Sequence, residues 1–351
     1  MSIVDPTNEK QRKIHDRVRT LILQSGDNIT KNIRIEIGRI SDTRIKQIRV
    51  FSGAGGKTYV IEAGLTTSLA GETDGGIVIK FAHDLDAEVN NAKRLVELLK
   101  TRQQDWLEWK KQHEIPKQIK RFSDHVFAPE VIHVIPEAKA LILEFLSGYS
   151  SLLQVDLPQK SRWEYAGYAL ARLHGSKRQS TNVQLYSPLI RMLGSKIDQK
   201  WLDYWVQVLE QAKGGVDFIH GDSHLSNLLI SPSGIAWIDA MMLPKLDRMD
   251  DIGYIISHAI QEHIVNNIGF GINISKLVET ITRGWVPLVL ATYKRTYDIS
   301  QLYTQLPLDF FLGSHLIIRG EIWEKEIAEI LFRVGKHFIY KMPVAKMLQK
   351  K

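Results

Sequence analysis

The stretch Phe218–Ala240, FIHGDSHLSNLLISPSGIAWIDA, constrains the fold of this chain more than any other part of the sequence. Within it, the polar residues His220, Asp222, Asn227 and Asp239 are separated by short apolar segments. Apolar segments of this length predict buried strands, so the polar side chains stand close to a core. Such a position is costly for them unless they have specific partners.

The second half of this stretch predicts a β-hairpin. Leu228–Ile230 and Ile235–Ile238 are apolar runs, and Ser231–Gly234 between them contains the Pro and Gly that are typical of a turn. The returning strand ends at Asp239, so the hairpin brings this residue back towards the Asp and Asn that precede it. Two carboxylates and a carboxamide at one end of a buried hairpin indicate a cation or a reacting proton shared between them.

The order of these residues resembles the signature of the aminoglycoside phosphotransferase and choline kinase superfamily, H-G-D-x-x-x-x-N followed by a hairpin and I-D. In this chain the matching residues are His220-Gly221-Asp222, Asn227 and Ile238-Asp239. Their order also parallels the catalytic loop and the metal-binding aspartate of protein kinases. The resemblance implies a bilobal, protein-kinase-like α+β fold. It would have a small N lobe, with an antiparallel sheet and one main helix, and a mostly helical C lobe.

The resemblance also implies a role for each of these residues. Asp222 would orient or deprotonate the acceptor hydroxyl, and Asn227 and Asp239 would bind Mg²⁺. His220 is counted with the catalytic residues, although we expect it to brace the loop rather than to react. Asp251 would hydrogen-bond the backbone of the loop from the start of a helix, where many members of the superfamily carry D-L-A and this chain has Asp-Ile-Gly.

A glycine-rich turn is expected near the beginning of the chain. Ile45–Phe51 and Thr58–Ala63 have the composition of strands, and a turn whose bare backbone amides could approach phosphates lies between them. A Walker A loop is the competing interpretation, but Phe51 stands where its first glycine is required and a strand follows instead of a helix. The residues expected to cover the nucleotide are Ser52, Gly53, Gly55, Gly56 and Lys57.

A lysine and a glutamate further along the chain are expected to pair. Lys80 ends the β-branched run Ile77–Phe81, which follows a predicted turn at Gly71–Gly76 and resembles the V-A-I-K strand of kinases. Asp84 or Asp86 can cap the next helix, and Glu88 heads its apolar stripe. A carboxylate on that stripe needs a partner, and Lys80 is the obvious one. In the superfamily such a pair positions the lysine on the α- and β-phosphates.

The predicted strands Ala128–Val134 and Ala140–Phe145 precede an expected linker between two lobes. By resemblance, backbone groups of Glu144, Phe145 and Leu146 in this linker would hold the adenine. The predicted domains are therefore an N-terminal extension, an N lobe and a C lobe, over residues 1–40, 41–146 and 147–351.

The composition is that of a globular protein, with 44% hydrophobic and 24% charged residues among 351. It contains no cysteine, which excludes disulfides, a cysteine nucleophile and thiolate zinc sites. No apolar run approaches the ~20 residues of a membrane helix, and the N-terminus lacks the apolar core of a signal peptide, so we expect a cytoplasmic protein. The net charge is +7, and the segment from Leu331 to Lys351 is basic without any Asp or Glu. This tail could contact nucleic acid or an acidic partner, but a solvated helix with a basic end is the interpretation we favour.

Together the motifs predict an ATP- and Mg²⁺-dependent kinase that phosphorylates an alcohol group of a small molecule. The acceptor itself stays unidentified, because the helical region after the hairpin, where it would bind, carries no motif. Two alternatives stay open at this point. One is a catalytically silent, nucleotide-binding regulatory domain, and the other is an enzyme that phosphorylates protein hydroxyls.

Overall fold

The computed structural model describes residues 43–53, 56–67, 71–136, 139–176, 181–212, 214–297 and 305–340. The predicted N-terminal extension, Gly55 of the glycine-rich turn and the end of the basic tail lie outside the described residues. The chain divides into two compact units. Residues up to 97 and 128–149 form the first unit, and residues 98–127 and 150–351 form the second. The predicted lobe boundaries, which kept residues 98–127 in the N lobe, stay a prediction.

The strands of the described residues, in chain order, are β1 (Thr43–Gly53), β2 (Gly56–Thr67), β3 (Gly71–Ala82), β4 (Val126–Phe127), β5 (Val131–Ile135), β6 (Ala140–Glu144), β7 (Ser150–Ser151), β8 (Phe218–Ile219), β9 (Leu228–Ser231), β10 (Gly234–Trp237) and β11 (Leu243–Pro244). The α-helices are α1 (Leu85–Gln112), α2 (Gln159–His174), α3 (Ser187–Leu193), α4 (Gln199–Glu210), α5 (Arg248–Asn267), α6 (Ile274–Thr280), α7 (Val286–Thr296), α8 (Gln305–Gly320) and α9 (Lys325–Ile339).

The first unit is built on a five-stranded antiparallel sheet in the order β1-β2-β3-β6-β5. β1 and β2 form the predicted hairpin, in which Gly53 pairs with Gly56 at the turn. The strand after this turn continues to Thr67, so the helix that a Walker A loop requires is not formed. The predicted turn at Gly71–Gly76 is wrong, because these residues pair with β2 and open β3. Pairing with a long neighbouring strand here outweighs the turn preference of the glycines.

Helix α1 follows the sheet and begins as the sequence predicts. The Asp84 carboxylate accepts a hydrogen bond from the Ala87 amide at 3.0 Å, which caps the first turn. Acidic residues in the first turn and lysines in the last turn complement the helix dipole. The apolar stripe predicted for the first half includes Leu95 and Leu99, which are both buried, and the fully buried Trp106 extends it.

The second unit contains a small sheet in the order β4-β10-β9-β7, together with the pair β8 and β11. β9 and β10 form the hairpin predicted from the sequence, with Ile235 opposite Ile230. Trp237 on β10 is fully buried, and its indole donates to the backbone oxygen of Ala169 on α2. The hairpin is therefore fixed against a helix of the same unit, which gives the polar residues at its ends a rigid support.

The rest of the second unit is helical. α2 packs on α7, and α8 packs on both α5 and α9. The inward stripe of α4 is Leu202, Trp205 and Leu209, while Trp201 and Tyr204 are half-buried. The α+β class, with a small antiparallel sheet and one main helix followed by a mostly helical region, is confirmed. Over the described part of the chain, no helix is both long and apolar enough to cross a membrane.

The contact between α5 and α8 depends on Gly253. A Cβ atom at this position would lie 2.8 Å from the Cβ of Phe311 and 2.9 Å from the amide nitrogen of Leu312, both on α8. We expect Gly253→Ala to lower the free energy of unfolding by about 1–3 kcal/mol, because the helices must move apart. Urea unfolding would measure this change.

Gly284→Ala is the matched control for Gly253→Ala. A Cβ atom there meets nothing within 4 Å, so the higher helix propensity of alanine should leave stability unchanged or raise it by up to about 1 kcal/mol. Equal effects of the two substitutions would show that the close approach of α8 does not govern this position.

Candidate active site

The loop between β8 and β9 carries the predicted catalytic residues. β8 enters it from its pairing with β11, and a 3₁₀ turn at Leu225–Asn227 leads out of it into β9. Gly221 within the loop has φ +78°, a left-handed conformation that side chains with a Cβ rarely adopt. The backbone here makes a sharp turn that fits glycine in the H-G-D sequence.

Asp251, at the start of α5, holds this loop through its backbone. Its Oδ2 accepts from the amide of His220 at 2.7 Å, and its Oδ1 accepts from the amide of Gly221 at 2.9 Å. The carbonyl oxygen of Asp251 also accepts from the hydroxyl of Ser223 at 2.8 Å. The contact that the resemblance implied for Asp251 is present, and this carboxylate is fully buried.

A histidine at the end of α2 gives Asp251 a further hydrogen bond. His174 Nε2 lies 2.9 Å from Asp251 Oδ2, and its Nδ1 lies 2.9 Å from the hydroxyl of Tyr293. Burial lowers the pKa of His174 despite the neighbouring carboxylate, so the ring is neutral and donates to Asp251 from Nε2. Burial alone would raise the pKa of Asp251, but the hydrogen bonds from His174 and the loop outweigh it, and this pKa is lowered. His174 therefore has a structural role.

His220 braces the loop through both ring nitrogens. Nε2 lies 2.9 Å from the carbonyl oxygen of Ile238, and Nδ1 lies 3.3 Å from the amide nitrogen of Asp222, which donates to it. Burial lowers the pKa of His220 against the opposing charges of Asp251, Asp222 and Asp239. A neutral ring with both nitrogens bonded to the backbone fits the bracing role rather than that of a base.

Asp222 is held by two neighbours. Its Oδ1 accepts from the hydroxyl of Tyr254 on α5 at 2.6 Å, and its Oδ2 accepts from the side-chain amide of Asn227 at 3.2 Å. Burial and the charge of Asp222 raise the pKa of Tyr254 to about 12, so the hydroxyl keeps its proton and acts as the donor. The carboxylate of Asp222 retains 31% side-chain exposure and is thus fixed but still accessible.

Asn227 immediately precedes β9 and Asp239 follows β10, so both residues lie at the open end of the hairpin. The Asn227 amide nitrogen also donates to the carbonyl oxygen of Asp222 at 2.9 Å, which leaves Oδ1 of this buried side chain for a cation. Asp239 is exposed and has φ +56°, which aspartate tolerates better than most residues. The amide nitrogen of Ile238 donates to the carbonyl oxygen of Asn227 at 3.0 Å, and this bond joins the two chain segments next to Asn227 and Asp239.

These two oxygen donors fit a hard cation. Mg²⁺ is usually bound by one or two protein oxygens, and water and phosphate oxygens complete its coordination. Among the described residues there is no group of three or more His, Cys, Asp or Glu that could hold a metal ion by itself. With only two protein oxygens, the remaining coordination positions of such a cation would belong to water and phosphate oxygens.

The first unit contains the other predicted residues. Lys80 on β3 donates from Nζ to Glu88 Oε2 on α1 at 2.7 Å, so the predicted pair is formed. Lys80 stands opposite Thr58 on β2 and Leu141 on β6, in the centre of the sheet. Its side chain is 12% exposed, which makes the ion pair well shielded from solvent on the lysine side.

The remaining nucleotide-binding candidates belong to the same unit. Ser52 pairs with Lys57 next to the turn of the β1–β2 hairpin, and Gly55 lies outside the described residues. Glu144 ends β6, and its carboxylate accepts from the amide of Glu130 at 3.3 Å. Phe145 and Leu146 follow as an irregular, half-buried segment.

Sequence reasoning missed Tyr254, which contacts Asp222 directly. It stands three residues after Asp251 on α5, so the two side chains project from the same side of the helix. This spacing was the available signal, since a residue one turn beyond the one that holds the loop must face the same loop. Arg319 on α8 was missed as well, and its guanidinium lies over the Tyr254 ring, 4.6 Å from the centroid.

Comparisons with known proteins give structural likenesses only. No protein-family model and no curated protein matches this chain. Choline kinase from Cryptosporidium parvum Iowa II shares 14% identity at a TM-score of 0.46, and the match covers 95% of this chain and 96% of that one. A choline/ethanolamine kinase family protein from Mesorhizobium loti shares 12% identity at a TM-score of 0.45, over 94% and 96% of the two chains.

A thermostable mutant of the aminoglycoside phosphotransferase APH(4)-Ia is a third similar structure. It shares 11% identity at a TM-score of 0.41, and the match covers 88% of this chain and 98% of that one.

Asp251 offers a test of how the loop is held. We expect Asp251→Asn to lower the free energy of unfolding by about 3 kcal/mol at neutral pH, because a buried amide cannot accept all three N–H bonds as an anion does. The folded-state pKa of Asp251 lies below its unfolded value of about 3.9. The wild-type advantage is therefore fully present above that pH and shrinks as the pH falls below it.

Urea unfolding of both proteins at pH values from 7 to 3 would measure this difference. Asp203→Asn is the control, since Asp203 is exposed on α4 and bonds only to Gln199 among the described contacts. A difference that is independent of pH would show that the charge of Asp251 is not what stabilises the loop.

Proposed function

We propose that this chain is an ATP-dependent phosphotransferase that moves the γ-phosphate of ATP to a hydroxyl group of a small molecule. The observation that carries the proposal is the fixed, accessible carboxylate of Asp222. It is oriented by Tyr254 and Asn227 on a loop that Asp251 and His220 hold in place. Phosphoryl transfer needs positioning and charge stabilisation more than covalent chemistry, and this loop supplies positioning.

In this proposal Asp222 accepts the proton of the acceptor hydroxyl. The hydroxyl oxygen forms a bond to the γ-phosphorus while the bond from that phosphorus to the β,γ-bridging oxygen breaks, and ADP leaves. The hydrogen bond from Tyr254 orients the carboxylate at Oδ1. Tyr254 is thus a positioning residue and not a proton donor to the reaction, since its pKa is raised to about 12.

We also propose roles for the residues expected to bind the nucleotide and its cation. Asn227 and Asp239 are proposed to bind Mg²⁺, which neutralises phosphate charge when it is bound. Lys80, oriented by Glu88, is proposed to contact the α- and β-phosphates, in line with the resemblance in the sequence. The hairpin residues Ser52–Lys57 would cover the triphosphate with backbone amides, and Glu144, Phe145 and Leu146 would hold the adenine. A cytoplasmic location also stays a prediction.

Asp222→Asn tests the reaction. We expect the variant to bind Mg·ATP within about threefold of wild type and to transfer phosphate ~10²–10⁴-fold more slowly, because the proton acceptor is removed and the shape is kept. Transfer is measured with γ-labelled ATP across pooled acceptors, which include sugars, amino alcohols, hydroxy acids and the protein itself. Asp203→Asn, an exposed change of the same kind, should have the wild-type rate.

Each other outcome of this assay has a defined meaning. A wild-type rate in Asp222→Asn would contradict the role of this residue. Wild type that binds Mg·ATP but labels no acceptor would instead be a silent nucleotide-binding domain. Label on protein alone would favour the protein-kinase-like alternative.

Asp239→Asn tests the cation site. Asparagine tolerates the left-handed conformation of this position, so the variant should fold while losing the charge that attracts Mg²⁺. We expect the Mg²⁺-dependent part of ATP affinity to fall at least tenfold, or about 1.4 kcal/mol. Isothermal titration with ATP, with and without Mg²⁺, would measure it.

Asp156→Asn is the control for this substitution, because Asp156 is an exposed carboxylate outside the loop and the hairpin. Unchanged Mg²⁺ dependence in Asp239→Asn would remove this residue from the proposed metal site. An absence of any thermal shift of wild type with Mg·ATP would contradict the phosphotransferase proposal as a whole.

A further inference from the structure

A polar stripe runs along α5 away from Asp222. Tyr254, His258, Gln261 and Glu262 are spaced by three or four residues and therefore share one side of the helix. Tyr254 reaches Asp222, and Gln261 reaches Arg319 on α8. Such a stripe beside the proposed proton acceptor is where an acceptor molecule would lie.

Arg319 carries a fixed positive charge beside this stripe. Its Nη1 donates to Gln261 Oε1 at 2.9 Å, and its guanidinium stacks over Tyr254. Its Nε and Nη2 atoms are buried, yet neither has a hydrogen-bond partner among the described residues. A buried donor without a partner costs about 1–3 kcal/mol, so an acceptor oxygen that reached this edge of the guanidinium would be stabilised there.

The unpaired edge has a specific shape. Nε and Nη2 of an arginine point in parallel and match two oxygens of one carboxylate or phosphate group. An ammonium group cannot satisfy them because it offers only donors, and a hydroxyl offers a single oxygen where a carboxylate or phosphate places one oxygen on each donor. The geometry of Arg319 therefore favours an anionic group over a cationic one.

Two neutral histidines, His224 and His258, lie beside this stripe. His224 stacks on His258 with ring centroids 4.5 Å apart, and its buried Nδ1 has no partner within the described part of the chain. Burial and the charge of Arg319 lower the pKa of His258 to about 3, so this ring is neutral. Burial likewise lowers the pKa of His224. The two neutral rings therefore add no positive charge of their own, and an anionic group here would depend on Arg319 for its counter-charge.

The stripe also contains a carboxylate, Glu262, which would favour a cationic acceptor. Glu262 Oε1 lies 3.6 Å from His258 Nδ1, and burial raises its pKa against the charges of Arg319 and Arg162. A cationic acceptor would pair with Glu262 and would meet the positive charge of Arg319 on the same side of the helix. An acceptor with an anionic group satisfies the buried donors of Arg319, which have no other partner there.

We propose that the acceptor is an alcohol that also carries a carboxylate or phosphate group, and that Arg319 binds this group through Nε and Nη2 while Asp222 receives the hydroxyl. Tyr254 separates the two, because its hydroxyl contacts Asp222 and its ring contacts Arg319. The assignment of an acceptor rests on the phosphotransferase proposed above, whereas the binding of an anionic group at Arg319 does not require ATP.

The test measures binding to the full chain in the absence of nucleotide. Isothermal titration compares D-glucuronate with D-glucose and glucosamine, and D-glycerate and glycerol 3-phosphate with glycerol. We expect at least one acid to bind at least tenfold more tightly than its matched neutral alcohol. Arg319→Gln should reduce that affinity at least tenfold, and Arg319→Lys should give an intermediate loss because it keeps the charge without the two parallel donors.

Arg283→Gln is the matched control, since Arg283 is an exposed arginine whose ion pair with Glu279 lies on the surface of another helix. It should bind the acids as wild type does. Circular dichroism and thermal unfolding establish that the Arg319 variants are folded. Arg319→Lys keeps the proposal testable if Arg319→Gln does not fold.

Several results would overturn the proposal. They are acid binding that is unchanged in the Arg319 variants, glucosamine or a neutral alcohol that binds as tightly as the acids, and a panel in which no acid binds. The last result would mean that water occupies the arginine edge. If acid binding depends on Arg319 but the protein shows no response to Mg·ATP, the anion site is supported and the phosphotransferase proposal is contradicted.

Discussion

The buried carboxylate of Asp251 is the interaction on which the site depends. It accepts from two successive backbone amides of the H-G-D loop and from His174, so three donors from two separate segments converge on one fully buried anion. An uncompensated charge in such a place would cost several kcal/mol, and with these donors it instead defines one loop conformation. The left-handed turn at Gly221 and the direction of Asp222 follow from that conformation.

The same constraint extends to the hairpin. His220, whose amide is fixed by Asp251, bonds through its ring to the carbonyl oxygen of Ile238. Its own carbonyl oxygen accepts from Met241 at 2.8 Å, just beyond Asp239. Asn227 closes the arrangement by bonding to Asp222 and, through its backbone, to Ile238. The proposed proton acceptor and the proposed metal ligands are thus parts of one hydrogen-bonded unit.

Apolar runs and periodicity predicted the hairpin and the Lys80–Glu88 pair, whereas the contact of Asp251 with the loop was implied only by the resemblance, because the two are about 30 residues apart in the chain. The apolar runs around Ser231–Gly234 gave the hairpin, and the stripe below Glu88 gave its pairing with Lys80. The turn expected at Gly71–Gly76 was wrong because strand pairing is decided by the partner strand. The sequence could not predict the contact between Tyr254 and Arg319, because this contact depends on how α5 and α8 pack. The nucleotide-binding roles of the first unit stay predictions.

Helix α5 carries both the residue that holds the reactive loop and the residues that would contact the acceptor. Asp251 at its start fixes the reactive loop, and Tyr254 to Glu262 form the side that an acceptor would meet. A shift of α5 to admit a different acceptor would therefore also displace Asp222. Helix α8, which approaches closely at Gly253 and carries Arg319, is free of bonds to that loop among the described contacts. Changes of substrate preference in proteins built this way are consequently expected to accumulate at positions of α8 that do not contact Tyr254, because substitutions there leave the hydrogen bonds of Asp222 intact.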